Sequence, residues 1–233
     1  MATDIVRYTL EGTTAIVTMD DGKANALSYP MIDGLLDAYA RAEREARAMV
    51  LVGRPDKFCA GFDLKVVMSG PDAARELMRR GGDLLMKLYA APFPLVVACT
   101  GHALAGGALL VLTGDYRVGA HGSYRIGLNE VSIGMPLPVL AVEMARDRLA
   151  PAALAHATLG GLAYGPDEAV AAGYLDAVVP ADQLVVRAAQ EAARLGAFSR
   201  PAYRATKERL RGKTIAYITS TMQDDMVRLM SPG

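Results

Sequence analysis

The first third of the chain alternates runs of β-branched and aliphatic residues with segments whose apolar positions recur at helical spacing, the pattern of an α/β protein. Residues 13–19, Thr-Thr-Ala-Ile-Val-Thr-Met, predict a strand closed by a turn at 20–23. Pro30 then sits where a first helical turn accepts it, and Ile32, Leu35, Leu36, Tyr39 and Ala40 mark one helix face before the charged run 41–47. A second apolar strand is expected at 48–53. Ser69, Pro71 and Asp72 read as a helix start with Ser69 as its cap, and that helix is expected to reach about Leu88.

From Leu88 to Gly114 the chain carries no Asp, Glu, Lys or Arg for 27 residues, longer than the ~20 that cross a bilayer. Pro92, Pro94, Gly101, Gly106, Gly107 and Gly114 punctuate that stretch and break its helical continuity. It therefore predicts a buried strand at 95–100, a tight loop and a short apolar helix from about Gly106, with no membrane span. Beyond Pro138 nearly every segment is Ala-rich with helical periodicity, at about 138–149, 152–160, 167–172, 182–196, 201–211 and 214–229, and only 177–180 looks extended. The organisation expected is an α/β core over 1–137 with a helical region over 138–233 packed on it.

Composition narrows the partners. The 233 residues are 52% hydrophobic and 21% charged, with 25 Lys+Arg against 25 Asp+Glu, and the mean hydropathy is +0.20. A chain this apolar folds around a core, and its zero net charge supplies no broad field for nucleic acid. Cys59 and Cys99, both inside apolar runs, make neither a disulfide framework nor a cysteine metal site. No His/Asp/Glu ligand spacing is present either, so no catalytic metal is expected. The N-terminus lacks a basic region followed by an apolar one, and a cytoplasmic, reducing setting is the expectation.

Three short segments then stand out: Phe-Cys-Ala-Gly-Phe-Asp-Leu at 58–64, Gly-His-Ala-Leu-Ala-Gly-Gly-Ala at 101–108 and Ile-Gly-Leu-Asn-Glu at 126–130. In the first two, small residues precede a predicted helix and leave backbone N–H groups free where a ligand approaches closely. Two such turns side by side make an oxyanion hole, in which one donor is worth about 3–4 kcal/mol in the transition state. The same pattern also serves close packing of backbone on backbone.

In order and wording these segments resemble the crotonase, or enoyl-CoA hydratase/isomerase, superfamily. The resemblance runs from about Ile5 through Lys-Ala-Asn-Ala-Leu at 23–27, Ala-Gly-Phe-Asp-Leu at 60–64, Gly-Gly at 106–107 and Gly-Leu-Asn-Glu at 127–130 to residues 169–180, about four-fifths of the chain. It implies a spiral of ββα turns bearing a helical trimerisation region, and a homotrimer or dimer of trimers. It implies acyl-CoA thioesters as substrates, with coenzyme A as part of the substrate and no separate cofactor. The enolate would be held at the thioester oxygen by the N–H groups of Phe62 and Gly106. CoA-contacting backbone would lie at Ala24, Ala26, Ala60 and Leu64, with Asp63 shaping that loop and Gly107 beside it.

Glu130 falls on the family's second acidic position, among Ile126, Leu128, Val131 and Ile133, where desolvation would raise a carboxyl pKa toward neutrality. The resemblance makes it the proton-transferring base. Where the hydratase pattern has its other Glu, three residues after Gly106, this chain has Leu109. Hydration shares its work between two carboxylates, whereas a single base serves isomerisation. Δ3,Δ2-enoyl-CoA isomerisation is therefore the expected reaction, with hydration, or acyl-CoA binding with weak turnover, as the alternatives.

His102 reads as a packed or hydrogen-bonded loop residue, Asp115 as structural, and Met135, Pro136 and Pro138 as candidates to line the acyl pocket. The zero net charge conceals a basic stretch: residues 200–213 hold six bases against Glu208, a local +5. Arg200, Arg204, Lys207 and Arg211 share one helix face, either as a solvated stripe or as a CoA phosphate site. Lys207 best matches the family's C-terminal CoA-contacting lysine. Ile215, Ile218, Met222, Met226 and Met230 suggest an apolar face for subunit contact, and the chain's end at Gly233 suggests that a terminal helix completing the neighbour's site is trimmed.

Overall fold

A computed structural model describes residues 5–229, so Met230 and its suggested place on the apolar face lie outside the described residues. The chain opens with a hairpin of β1 (Val6–Glu11) and β2 (Thr14–Met19), followed by α1 (Tyr29–Glu45). Ser28 Oγ accepts from Met31 N at 3.4 Å to cap α1, Pro30 occupies its first turn, and Met31, Ile32, Leu35, Ala38, Tyr39 and Ala42 form its buried face.

Three chain passages then repeat one plan. β3 (Ala48–Val52) joins β2 in a large sheet, β4 (Asp56–Cys59) starts a small one, and α2 (Leu64–Val67) and α3 (Pro71–Tyr89) follow. β5 (Leu95–Cys99) pairs parallel to β3, β6 (Gly101–Leu104) parallel to β4, and α4 (Gly106–Leu112) follows. β7 (Tyr116–Ala120) and β8 (Ile126–Gly127) extend the two sheets again, and α5 (Val139–Arg148) follows. This is the ββα spiral expected. β3 and β5 are buried along their whole length because helices cover the large sheet, which explains their uninterrupted apolar sequences.

The second half supplies α6 (Pro151–Thr158), α7 (Pro166–Ala172), β9 (Ala177–Val179), α8 (Leu184–Gly196) and α9 (Arg200–Leu229). β9 pairs with β7 as the last strand of the large sheet, and α8 packs on β3, β5 and β7. Residues 138–233 thus contribute directly to the main sheet. α9 leans on α3 and α5.

Three expectations need correction. β6 is a strand where a tight loop was expected, and β4 and β8 are strands to which no element was assigned, because each is two to four residues long and exists only through its pairing in the small sheet. α9 runs unbroken through residues 212–213 instead of splitting there. Gly212 faces open space, and one glycine costs a helix about 1 kcal/mol, too little to end thirty residues packed on two neighbours. Ser69 is not the cap of α3: Gly70 holds that place, and Ser69 Oγ instead donates to Val66 O at 2.7 Å. The uncharged stretch 88–114 is divided among α3, β5, β6 and α4, and among the described residues no helix is long and apolar enough to cross a membrane.

Candidate active site

The site begins with Asn25. Its side chain is fully buried, and its Nδ2 donates to the carbonyls of Met19 (3.0 Å), Lys57 (3.2 Å) and Phe58 (3.2 Å). Its Oδ1 accepts from Asp21 N, and its own N–H donates to Asp21 Oδ1, both at 3.0 Å. One amide therefore pins residues 20–27 onto β4, at the cost of a left-handed backbone (φ 52°) that asparagine tolerates better than most residues. Sequence reasoning passed over Asn25, although its place inside Lys-Ala-Asn-Ala-Leu was a usable signal.

Held this way, residues 24–28 run beside the loop after β4. Ala60 N donates to Ala24 O (3.0 Å), Leu27 N to Gly61 O (2.8 Å) and Asp63 N to Leu27 O (3.3 Å), while Ala26 O accepts from Ser28 N (2.8 Å). Asp63 caps α2 by accepting from Lys65 N at 2.9 Å, and Leu64 is exposed. The structure thus brings Ala24, Ala26, Ala60, Asp63 and Leu64 into one continuous backbone rim.

The turn between β6 and α4 meets this rim. Gly61 has φ +93°, and a Cβ there would sit 3.1 Å from Leu104 O and 3.4 Å from Gly106 N. The two loops approach this closely only because position 61 lacks a side chain. Gly107 is needed for a different reason, since a Cβ on it would collide with the Cys59 carbonyl of β4. The Phe62 ring lies between Gly106 and Gly81 of α3, which fixes the backbone that carries it. Among the described residues neither Phe62 N nor Gly106 N donates a hydrogen bond. Ala105, which precedes Gly106, has φ 52° and ψ −123°, a strained conformation of the kind that clusters at functional turns.

Glu130 enters from β8. Ala105 N donates to Gly127 O at 3.0 Å, so the strand leading to Glu130 runs directly beside the Gly106 turn. Glu130 opens a single 3₁₀ turn, and its carbonyl accepts from Ile133 N and Met135 N. The side chain is 8% exposed and its Oε2 has no hydrogen-bond partner among the described residues. Burial pushes its carboxyl up from 4.5 to about 7, with no opposing cationic partner to hold it ionised. Leu109 is 2% exposed on α4, one turn after Gly106. A carboxyl poised near neutrality, three residues beyond the backbone contact of β8 with the Gly106 turn, suits proton transfer next to a carbonyl.

Lys207 departs from the expected role. It is buried, and its Nζ donates to Asp115 Oδ2 at 2.6 Å and Phe93 O at 3.1 Å. Arg211 meets Asp115 Oδ1 at 3.0 Å, and Leu95 N donates to Asp115 Oδ2 at 2.9 Å. Burial lowers the Lys207 pKa to about 8 against the pull of Asp115. Its charge is engaged by Asp115 and the Phe93 carbonyl, which fastens α9 to the start of β5. Arg200 donates to the Ala46 and Glu43 carbonyls and Arg204 pairs with Glu208, so the stripe of bases at 200–213 is engaged mainly within the fold. The lysines around the site are different: Lys23, Lys57 and Lys65 are exposed beside the rim, and no ion pair holds them among the described residues. Sequence reasoning missed them because they are scattered singly along the chain. His102 lies in β6 with Nδ1 accepting from Arg125 N at 3.2 Å, a packing role. Among the described residues no cluster of three His, Cys, Asp or Glu could hold a metal ion.

Comparison with known proteins reaches the same segments. The sequence model of the enoyl-CoA hydratase/isomerase family matches residues 9–227. Human mitochondrial enoyl-CoA delta isomerase 1 is 29% identical over 222 residues, 93% of this chain and 74% of the human protein. A solved enoyl-CoA hydratase/isomerase family protein from Pseudomonas syringae superposes with a TM-score of 0.94 at 36% identity, covering 97% of this chain and 99% of that one. An apo enoyl-CoA isomerase from Mycobacterium tuberculosis superposes with a TM-score of 0.92, also at 36% identity and the same coverage.

Proposed function

The chain belongs to the enoyl-CoA hydratase/isomerase (crotonase) superfamily, and from that premise we propose that it converts 3-enoyl-CoA thioesters to 2-enoyl-CoA thioesters. The observation that carries this reading is the desolvated Glu130 carboxyl at the end of a strand that pairs with the Gly106 turn, with an aliphatic side chain, Leu109, where a second carboxylate would serve hydration. Similar proteins carry both descriptions, the human mitochondrial one as an enoyl-CoA delta isomerase and the Mycobacterium tuberculosis one as an isomerase and also as a probable enoyl-CoA hydratase, so the choice between the reactions rests on the site.

In this reading the thioester oxygen accepts from Phe62 N and Gly106 N. Ionised Glu130 takes a proton from Cα. The electron pair of that C–H bond forms a double bond from Cα to the thioester carbon and the carbonyl pair moves onto the oxygen, where the two N–H groups hold it; as the proton is returned, the oxygen's pair re-forms the carbonyl, the Cα pair makes the Cα–Cβ double bond, and the former Cβ–Cγ pair takes the proton at Cγ. Protonated Glu130 then returns the proton at Cγ, so one residue acts as base and then acid and no water is consumed. A pKa of about 7 suits both roles, because neither protonation state is rare at neutral pH. The rim at 24–26 and 60–64 would receive the CoA portion, with Lys23, Lys57 and Lys65 near its phosphates. CoA enters as part of the substrate, and the chemistry calls for no further cofactor.

Homotrimer or hexamer formation belongs to the same proposal. Ile218 and Met226, expected on a subunit face, are buried within the protomer, and the exposed apolar surface of the C-terminal half lies instead at Leu159, Leu162, Leu210 and Tyr217. Light scattering at a mass of three or six chains is the expected result, and a monomer contradicts it.

The test of turnover against mere binding is proton exchange. A saturated acyl-CoA bound in D2O should gain deuterium at Cα with the native protein, whereas Glu130→Gln should bind it with similar affinity and show no exchange. Tight binding by both proteins with no exchange by either would reduce the site to a binding module.

A further inference from the structure

Glycine is a poor residue for the interior of a helix, because it loses more backbone freedom than alanine on folding and packs nothing. α3 nevertheless carries two in succession, Gly81 and Gly82, both buried and well inside its 19 residues. Their surroundings differ. The nearest atoms to a Cβ on Gly82 would be the ends of long side chains, Met222 Sδ at 3.1 Å, Met226 Cε at 3.5 Å and Leu140 Cδ1 at 3.6 Å. A Cβ on Gly81 would stand 2.2 Å from Phe62 Cε1 and 2.7 Å from Cζ, in the space the ring occupies. Position 81 therefore lacks a side chain because the Phe62 ring rests on its backbone.

The opposite edge of the same ring faces the turn between β6 and α4. A Cβ on Gly106 would lie 3.2 Å from both Cδ2 and Cε2, with Leu27 Cδ1 equally close. The ring thus reaches from the backbone of α3 to the backbone of Gly106, and it belongs to the residue that carries the other N–H of the pair. The direction of that N–H is set elsewhere. Gly61 O accepts from Leu27 N at 2.8 Å, and in a trans peptide the carbonyl and the N–H point opposite ways, so the Phe62 N–H is turned away from Leu27. The distance between the two donors then depends on what packs between their loops, and the Phe62 ring bears on Gly106 directly.

We propose that Gly81 is a positioning residue for the oxyanion site: its bare backbone seats the Phe62 ring, and the seated ring is the spacer that holds Phe62 N and Gly106 N where both can donate to one thioester oxygen. A methyl group at position 81 drives the ring against Gly106 or out toward solvent, and either movement changes the separation of the donors. Gly82, one residue along the same helix, has no such task, since the side-chain ends over it can give way.

This assignment rests on Phe62 N and Gly106 N as the donors, and it is testable without turnover. Hexanoyl-CoA labelled with 13C at the thioester carbon is bound to the full chain, and its carbonyl stretch is read by infrared difference spectroscopy against the unlabelled ligand. Donation to the oxygen weakens the C=O bond, so the stretch should lie at lower frequency on the native protein than in water. Gly81→Ala should bind the ligand yet lose much of that displacement, and kcat for 3-enoyl-CoA should fall about 10–100-fold with a far smaller change in KM. Gly82→Ala makes the same change in helix propensity and should keep both the displacement and kcat. Phe62→Leu lacks the ring atoms that a methyl at 81 would strike. Alone it leaves the seat unfilled and should reduce the displacement, whereas Phe62→Leu combined with Gly81→Ala should recover it above either single variant. Should Gly81→Ala alone fail to fold, the comparison of Phe62→Leu with that double variant decides, and a double variant no better than Phe62→Leu counts against the spacer. A native displacement retained in Gly81→Ala, or lost equally in Gly82→Ala, overturns the assignment. No displacement on the native protein overturns the reading of the two donors, and the assignment with it.

Discussion

Replacing Glu130 by glutamine is expected to stabilise the folded protein above pH 7 while abolishing its proton transfer. Burial raises the folded-state pKa of Glu130 from 4.5 to about 7. Between those values the unfolded chain has released a proton that the native state still holds, so native stability falls as pH rises. The contribution is fully present below about pH 4.5 and lost as pH rises through about 7. A difference of some 2.5 pH units at 1.36 kcal/mol each comes to about 3 kcal/mol. Glutamine has the same shape and never ionises, so it escapes this loss. For a chain of this size about 3 kcal/mol corresponds to roughly 6–12 °C in Tm. Thermal melts of both proteins at equal concentration, at pH 4.5 and pH 8, check the expectation. The variant should melt well above the native protein at pH 8 and close to it at pH 4.5. An equal difference at both pH values would mean that the carboxyl is solvated, and the argument for a base tuned by desolvation would fall with it.

Other consequences follow from the buried polar contacts. Asn25→Ala releases the carbonyls of Met19, Lys57 and Phe58 together and should lower stability by about 2–4 kcal/mol in urea titrations. It should also raise KM for acyl-CoA more than it lowers kcat, whereas an unchanged KM would separate the 20–27 loop from the CoA rim. Lys207→Met breaks a buried ion pair and should cost about 3–5 kcal/mol, leaving the salt dependence of CoA binding as it was. Replacing Lys23, Lys57 and Lys65 together by alanine should do the reverse, flattening that salt dependence with little effect on stability. A flattened slope in Lys207→Met would restore the phosphate role to that lysine.

What the sequence made legible follows physical lines. β2, β3 and β5 announce themselves because a sheet strand covered on both faces has to be apolar at every position, as in Ala48–Val52 and Leu95–Cys99. The small sheet left no such trace. Gly101–Leu104 and Ile126–Gly127 owe their extended form to each other and to β4, and no local propensity encodes a partner twenty or more residues away. Glu130 was legible in two ways, through its apolar neighbours and through the motif it ends, and the buried carboxyl in the structure, with no partner for Oε2 among the described residues, agrees with the desolvation inferred from those neighbours. Lys207 misled because a helical stripe of bases looks the same in sequence whether it faces solvent or an interior aspartate. Only the fold brings Asp115, 92 positions away in sequence, to its side.

The most direct test of the proposed chemistry gives the purified protein 3-enoyl-CoA and 2-enoyl-CoA separately and identifies the products. The account predicts 2-enoyl-CoA from the first, no appreciable 3-hydroxyacyl-CoA from the second, and loss of the first conversion in Glu130→Gln. Efficient hydration of 2-enoyl-CoA that requires Glu130 would contradict it and make the protein a hydratase that works without a carboxylate at position 109.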